Sequence, residues 1–141
     1  MKIIRFLLIL FLAGNIASCS CNPEKVLKFA FKGMNAVMGE GFLPSEEIRA
    51  LGDFKGMSVN LSVNKTEGIS ESTIFLKLED GDPVLIGNQP EILARKCAEI
   101  YLRDFKNSDN YQQITIQFIQ NDPMNPDNFA MQEFIFNTED F

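Results

Sequence analysis

The three cysteines, Cys19, Cys21 and Cys97, are the side chains here with the most intrinsic nucleophilicity, and their settings differ. Cys19 closes the run Ile16-Ala17-Ser18-Cys19, with two small residues directly before the thiol. A Cys paired with His could attack a carbonyl, but the chain contains no His. That removes Ser-His-Asp and Cys-His catalysis and most zinc sites. Paired carboxylates can do acid–base work when one sits in an apolar pocket with a raised pKa. Every Asp and Glu is expected in a turn, on a helix flank or in the acidic tail Glu139-Asp140-Phe141. There is no Gly-rich phosphate loop and no nucleophile elbow. The expectation is a protein that is not an enzyme and uses no cofactor.

Two oxygen-rich stretches could offer ligands to a cation: Glu79-Asp80-Gly81-Asp82, and Asn121 to Asn128. The second lacks the Gly and closing Glu of an EF-hand loop. Asn, Asp and Pro are also ordinary turn residues, so both stretches read as turns and no metal site is expected. The better lead is uncharged. Ser58, Asn60, Ser62 and Asn64 alternate with apolar residues, as do Thr115 and Gln117. Hydroxyls and amides in such rows can hydrogen-bond a glycan or a protein, against the plainer reading of a wet sheet face. Phe75 and Ile119, pointing the same way, would add apolar contact area.

The segment before Cys19 has the build of an export signal. Lys2 and Arg5 make a short positive start, and from Ile3 to Leu12 the chain is otherwise all Ile, Leu and Phe. That run is shorter than the about 20 residues needed to span a bilayer. It matches the length of a cleaved signal's apolar region. Ile16, Ala17, Ser18 and Cys19 fill the four positions of the lipobox, and the segment resembles the signal of bacterial lipoproteins. The resemblance implies cleavage before Cys19, diacylglycerol on its thiol and acylation of its new amino group, palmitate included. Two or three chains hold a protein on a bilayer where one does not. Ser20, in place of Asp, implies the outer membrane by the usual sorting rule. The expected division is a cleaved signal over 1–18, a lipidated tether over 19–22 and one domain over 23–141.

With Lys2 and Arg5 removed by cleavage, 11 of the 13 Lys and Arg remain against 19 acids, a net charge of −8. That argues against nucleic acid and against direct adhesion to anionic lipid heads. The expected contact with the membrane is through acylated Cys19, and the remaining partner would be an envelope protein or a glycan. The 13 Phe supply material for a core. An exported location permits a disulfide. Cys97 nonetheless falls on an apolar helix face, where a buried thiol is expected instead of a bridge to Cys21.

Asn22-Pro23-Glu24 reads as a helix start, with a helix to about Met38 whose inward face is Leu27, Phe31 and Met34, flanked by Ala30 and Val37. A short helical turn follows at 44–52. Met57 to Asn64 alternates with strict period two, a strand wet on one face. A second strand is expected over 72–79 with Ile74, Leu76 and Leu78 inward. Val84-Leu85-Ile86 fits either a short extension or a staple onto the next helix. That helix, about 90–106, carries Leu93, Cys97, Ile100 and Tyr101 inward, with Arg95, Glu99 and Arg103 able to pair on the other side. Strands over 112–120 and 129–137 follow, the last with Phe134 and Phe136 inward. The order α-β-β-α-β-β predicts an α+β two-layer sandwich: a four-stranded antiparallel sheet with two helices on one face. The alternative is a cystatin-like or dimeric arrangement with the sheet curled around one helix. Function is expected to be a membrane-anchored binding or envelope-structural role. The alternative is an anchored inhibitor or immunity protein against a basic hydrolase or toxin.

Overall fold

The computed structural model describes residues 23–66 and 69–141. The expected cut site and tether, including Cys19 and Cys21, lie outside the described residues. The chain divides into two compact units, Met1–Gly33 and Met34–Phe141. The boundary falls inside helix α1 (Pro23–Met38). In the first unit the described residues, 23–33, are helical throughout.

The second unit takes the last turn of α1, and there the expected inward face fails. Met34 is 38% exposed and Val37 83%, while Met38 packs against the core. Gly39 and Gly41 have φ of 104° and 79°, which redirects the chain at once. A Cβ at Gly41 would collide with the carbonyl oxygen of Asp104, so this position admits only glycine without rearrangement. The short helix α2 (Glu46–Gly52) then buries Ile48, with Asp53 ending it in the left-handed region at φ 48°.

Strand β1 (Gly56–Thr66) pairs antiparallel with β2 (Ile69–Glu79). A single turn of helix, α3 (Pro83–Ile86), is capped by the Asp82 carboxylate, which accepts from the Val84 N–H. Helix α4 (Pro90–Asp104) follows, then β3 (Gln113–Asp122) and β4 (Asn125–Asn137), which pair antiparallel with each other. The sheet order is β1-β2-β3-β4.

The sheet is mixed, not antiparallel as expected. β2 and β3 pair in parallel, with Ile74 beside Ile114, Leu76 beside Ile116 and Leu78 beside Phe118. The cause is α4. A helix of that length carries the chain back by about 22 Å, so β3 starts beside the start of β2. Parallel neighbours need such a crossover, and two hairpins joined by a helix are two antiparallel pairs with a parallel seam. Within this unit the layer on the sheet is α4 with α2 beside it.

The core follows from that seam. Ile74, Leu76, Leu78, Ile114 and Ile116 are fully buried on one face, with Phe118 and Phe136 nearly so. Ala94, Cys97 and Ala98 present a small-residue stripe from α4, which brings its backbone close to them. Phe54 stacks on Phe118 at 5.6 Å between ring centroids. The buried Tyr101 hydroxyl donates to the Phe42 carbonyl at 2.7 Å, and burial raises its pKa. Cys97 is a free buried thiol, pushed up to about 12 by desolvation, which leaves it unreactive.

Leu76→Ala is expected to cost about 2–5 kcal/mol through a cavity on the parallel seam. Tyr101→Phe, which leaves the Phe42 carbonyl without its donor, is expected to cost about 1–3 kcal/mol. Urea denaturation of both variants measures these losses, and a change under 0.5 kcal/mol in either, a size about that of ordinary surface substitutions, contradicts the packing described.

Candidate functional site

The face of the sheet opposite α4 is read row by row from the strand register. Asn60, Phe75, Thr115 and Ile135 lie side by side. The next row is Ser58, Lys77, Gln117 and Glu133, and the one after it Gly56, Glu79, Ile119 and Met131. Three of the expected polar residues thus come together. Ser58, Asn60 and Gln117, with Phe75 and Lys77, line a shallow depression of about 260 Å³. Gln117 donates to the Glu133 carboxylate at 2.7 Å.

The other expected residues divide. Ser62 and Asn64 pair with Thr73 and Glu71 farther along the hairpin and do not line the depression. Thr115 is only 2% exposed, so its hydroxyl is not a surface group. It stands on the central strand β3, flanked in its row by the larger Phe75 and Ile135. Alternation correctly put Thr115 on the open face, but its neighbours cover it.

The face is also less polar than its hydroxyl and amide rows suggested. Phe129, Met131 and Ile135 of β4 are 57%, 50% and 59% exposed. They share the open face with Ile119 and Phe75. The signal was in the sequence: with Phe134 and Phe136 inward, period two sends 129, 131, 133 and 135 outward. The same parity corrects the placement of the acids, because Glu133 and Glu71 stand on strands, not in turns or on helix flanks.

Negative charge gathers at one end of the sheet. Asp53, Glu79, Asp80, Asp82, Asp122 and Asp127 lie where β1 begins and where β2 and β3 end, with Lys55 among them. Around α2 and α4 several acids are matched by bases. Arg103 meets Glu47 and Asp104 at 2.7 and 2.8 Å, and Lys106 pairs with Glu40. The expected pairing of Arg95, Glu99 and Arg103 along α4 does not form. Glu99 pairs with Lys96, and Arg95 lies 5.1 Å from the ring centroids of Phe136 and Phe141.

Both oxygen-rich stretches span strand ends and the turns between them, with Asn121 and Asp122 ending β3 and Asn125 beginning β4. Asp80, at φ 50°, accepts from the Asn121 backbone N–H at 2.9 Å and from its side-chain amide at 3.2 Å. These bonds hold its carboxyl below the usual range. The Asp122 carboxyl is lowered likewise by the Met124 N–H and then the Asn128 amide. A general acid needs a shift in the other direction. Among the described residues no group of three or more Asp, Glu, Cys or His is placed to hold a metal ion. Nor is any described helix long and apolar enough to cross a membrane. Comparison with family models, curated proteins and solved structures gives no match to this chain.

The Asp80 bridge carries a pH signature. Its folded pKa is depressed, so its stabilisation is present above the unfolded value of about 3.9. It is lost as pH falls through the folded value. Asp80→Asn keeps the left-handed backbone but replaces one of the two carboxylate oxygens that the Asn121 donors meet separately with an NH₂ donor. The variant is expected to unfold at lower urea than the parent at pH 7, with the gap closing at about pH 2. An equal gap at both pH values would show that the carboxylate charge is not what ties β2 to β3 here.

Proposed function

We propose that this chain is a lipid-anchored bacterial envelope protein whose second unit binds a partner and performs no catalysis. The anchor reading rests on Ile16-Ala17-Ser18-Cys19 directly behind the apolar run. Ser20 favours the outer membrane. The binding reading rests on one observation: the open sheet face combines a polar depression at Ser58, Asn60 and Gln117 with exposed apolar groups on β4. A wet sheet face alone would not carry Phe129, Met131 and Ile135 together, and clustered exposed apolar groups mark contact sites. A flat face of this kind suits an envelope protein, or a glycan stacked on Phe75 with hydrogen bonds to the amides around it.

A second reading is favoured by the charge distribution. Acids concentrated at one loop end suit an anchored inhibitor or immunity protein that meets a basic hydrolase or toxin. An even spread would have favoured a structural role.

Two fractionations test the proposal. Cys19→Ser is expected to leave the protein unprocessed or in the soluble envelope fraction; maturation and membrane recovery like the parent's would refute lipidation. A pull-down from envelope extract with Asn60→Arg and Gln117→Arg variants is expected to lose whatever partner the parent retains. Recovery of the same partner by both variants excludes the open face as the contact.

A further inference from the structure

Strand β4 is the outer strand of the sheet, paired among the described residues on one side only, with β3. An edge strand presents a row of free N–H and C=O groups that can template another strand. Proteins usually blunt long edges with Lys, Pro or a bulge. In β4, Pro126 and the register shift opposite Asn121 and Asp122 blunt only its first residues; from Asn128 to Asn137 the strand has no Lys, no Arg and no Pro, and Glu133 is the one charge. The opposite edge, β1, is chemically different: its open-face row is Ser58, Asn60, Ser62 and Asn64.

Three features lie along β4. On the open face, Met131 and Ile135 flank Glu133, so an aliphatic stem could cross them to reach a carboxylate. On the helix side, Ala130 and Gln132 border a cavity of about 330 Å³ whose other walls include Leu78, Ile86 and Phe118. Across the whole hairpin the charge has one sign: residues 107–141 hold six acids and no Lys or Arg. Asp122 and Asp127 stand at one end of β4, with Glu139 and Asp140 at the other.

We propose that the β4 edge accepts an extended segment of a partner protein, added as a fifth strand, in which basic and apolar residues alternate. Main-chain hydrogen bonds supply affinity in such strand addition, and pockets for alternate side chains supply specificity. The partner's apolar residues face the cavity beside Ala130 and Gln132. Its Lys or Arg stems lie over Met131 and Ile135, with the charged ends at Glu133. Self-pairing of two copies is disfavoured because each brings the same acidic hairpin. The inference rests on the binding reading above and narrows it to one edge and one ligand chemistry.

The test uses the full chain in non-ionic detergent with two synthetic peptides, one alternating lysine with valine and one alternating glutamate with valine. The lysine peptide is expected to bind and to slow amide hydrogen exchange in residues 127–137. Glu133→Lys is expected to weaken it by roughly tenfold or more, and Glu133→Gln to weaken it less. Asn64→Lys, on the opposite edge and outside the depression, is expected to leave protection at 127–137 in place. The proposal is overturned by no binding, by equal affinity for the glutamate peptide, by protection appearing on β1, or by concentration-dependent self-association through β4. If the lysine peptide fails while the extract pull-down still yields a partner lost on Asn60→Arg, the edge assignment falls and the binding reading stands.

Discussion

The parallel seam between β2 and β3 is the constraint on which the rest of this unit depends. It is the one contact in the sheet that the chain must leave and return to make. The return path is α4, and the face α4 covers is lined by Ile74, Leu76, Leu78, Ile114, Ile116 and Phe118. Parallel pairing is somewhat weaker per residue than antiparallel pairing. Burial of both central strands under α4 offsets that, because apolar area removed from water is the dominant favourable term. The Asp80–Asn121 bridge closes the seam at its far end, where the ladder stops.

The seam also decides where charge and exposed apolar surface end up. In an all-antiparallel sheet of this strand order, both hairpin turns would sit at one end. Here the β1–β2 turn and the β3–β4 turn lie at opposite ends. The β3–β4 turn, with Asp122 and Asp127, therefore meets the segment after β2, with Asp80 and Asp82. Acids separated by some forty positions in sequence become neighbours, while those around the end of α4 find Arg103, Arg49 and Lys106. Surface ion pairs such as these contribute little each, about 0–1 kcal/mol, so their effect is on the field of the surface more than on stability.

Local pattern was legible in the sequence, and topology was not. Period two located all four strands and the inward residues from Ile74 to Phe136, but on β1 it put Val63 inward where it is exposed. The apolar stripe of α4 was read correctly down to Cys97 as a buried thiol. Helix α1 was read for its amphipathic pattern, but the turn at Gly39 and Gly41 leaves Met34 and Val37 exposed. Strand direction was misjudged because alternation is the same in parallel and antiparallel ladders; only the path of α4 separates them. Of the candidate face, Ser58, Asn60 and Gln117 were found because they lie in neighbouring rows across β1 and β3. Thr115 was missed as buried because its covering neighbours, Phe75 and Ile135, belong to other strands.

The two edges of this sheet run in the same direction, since β1 and β4 are each antiparallel to a member of the parallel pair. A second molecule joining head to tail would thus have to lay its β1 parallel to β4. Such a heterologous contact builds a ring if its rotation closes and a filament if it does not. The side chains at that junction would be Ser, Asn and Thr rows against Phe129, Met131 and Ile135, with nothing to match Glu133. The two edges of the sheet are therefore mismatched against each other, and β4 meets a poor template in the β1 of a second copy.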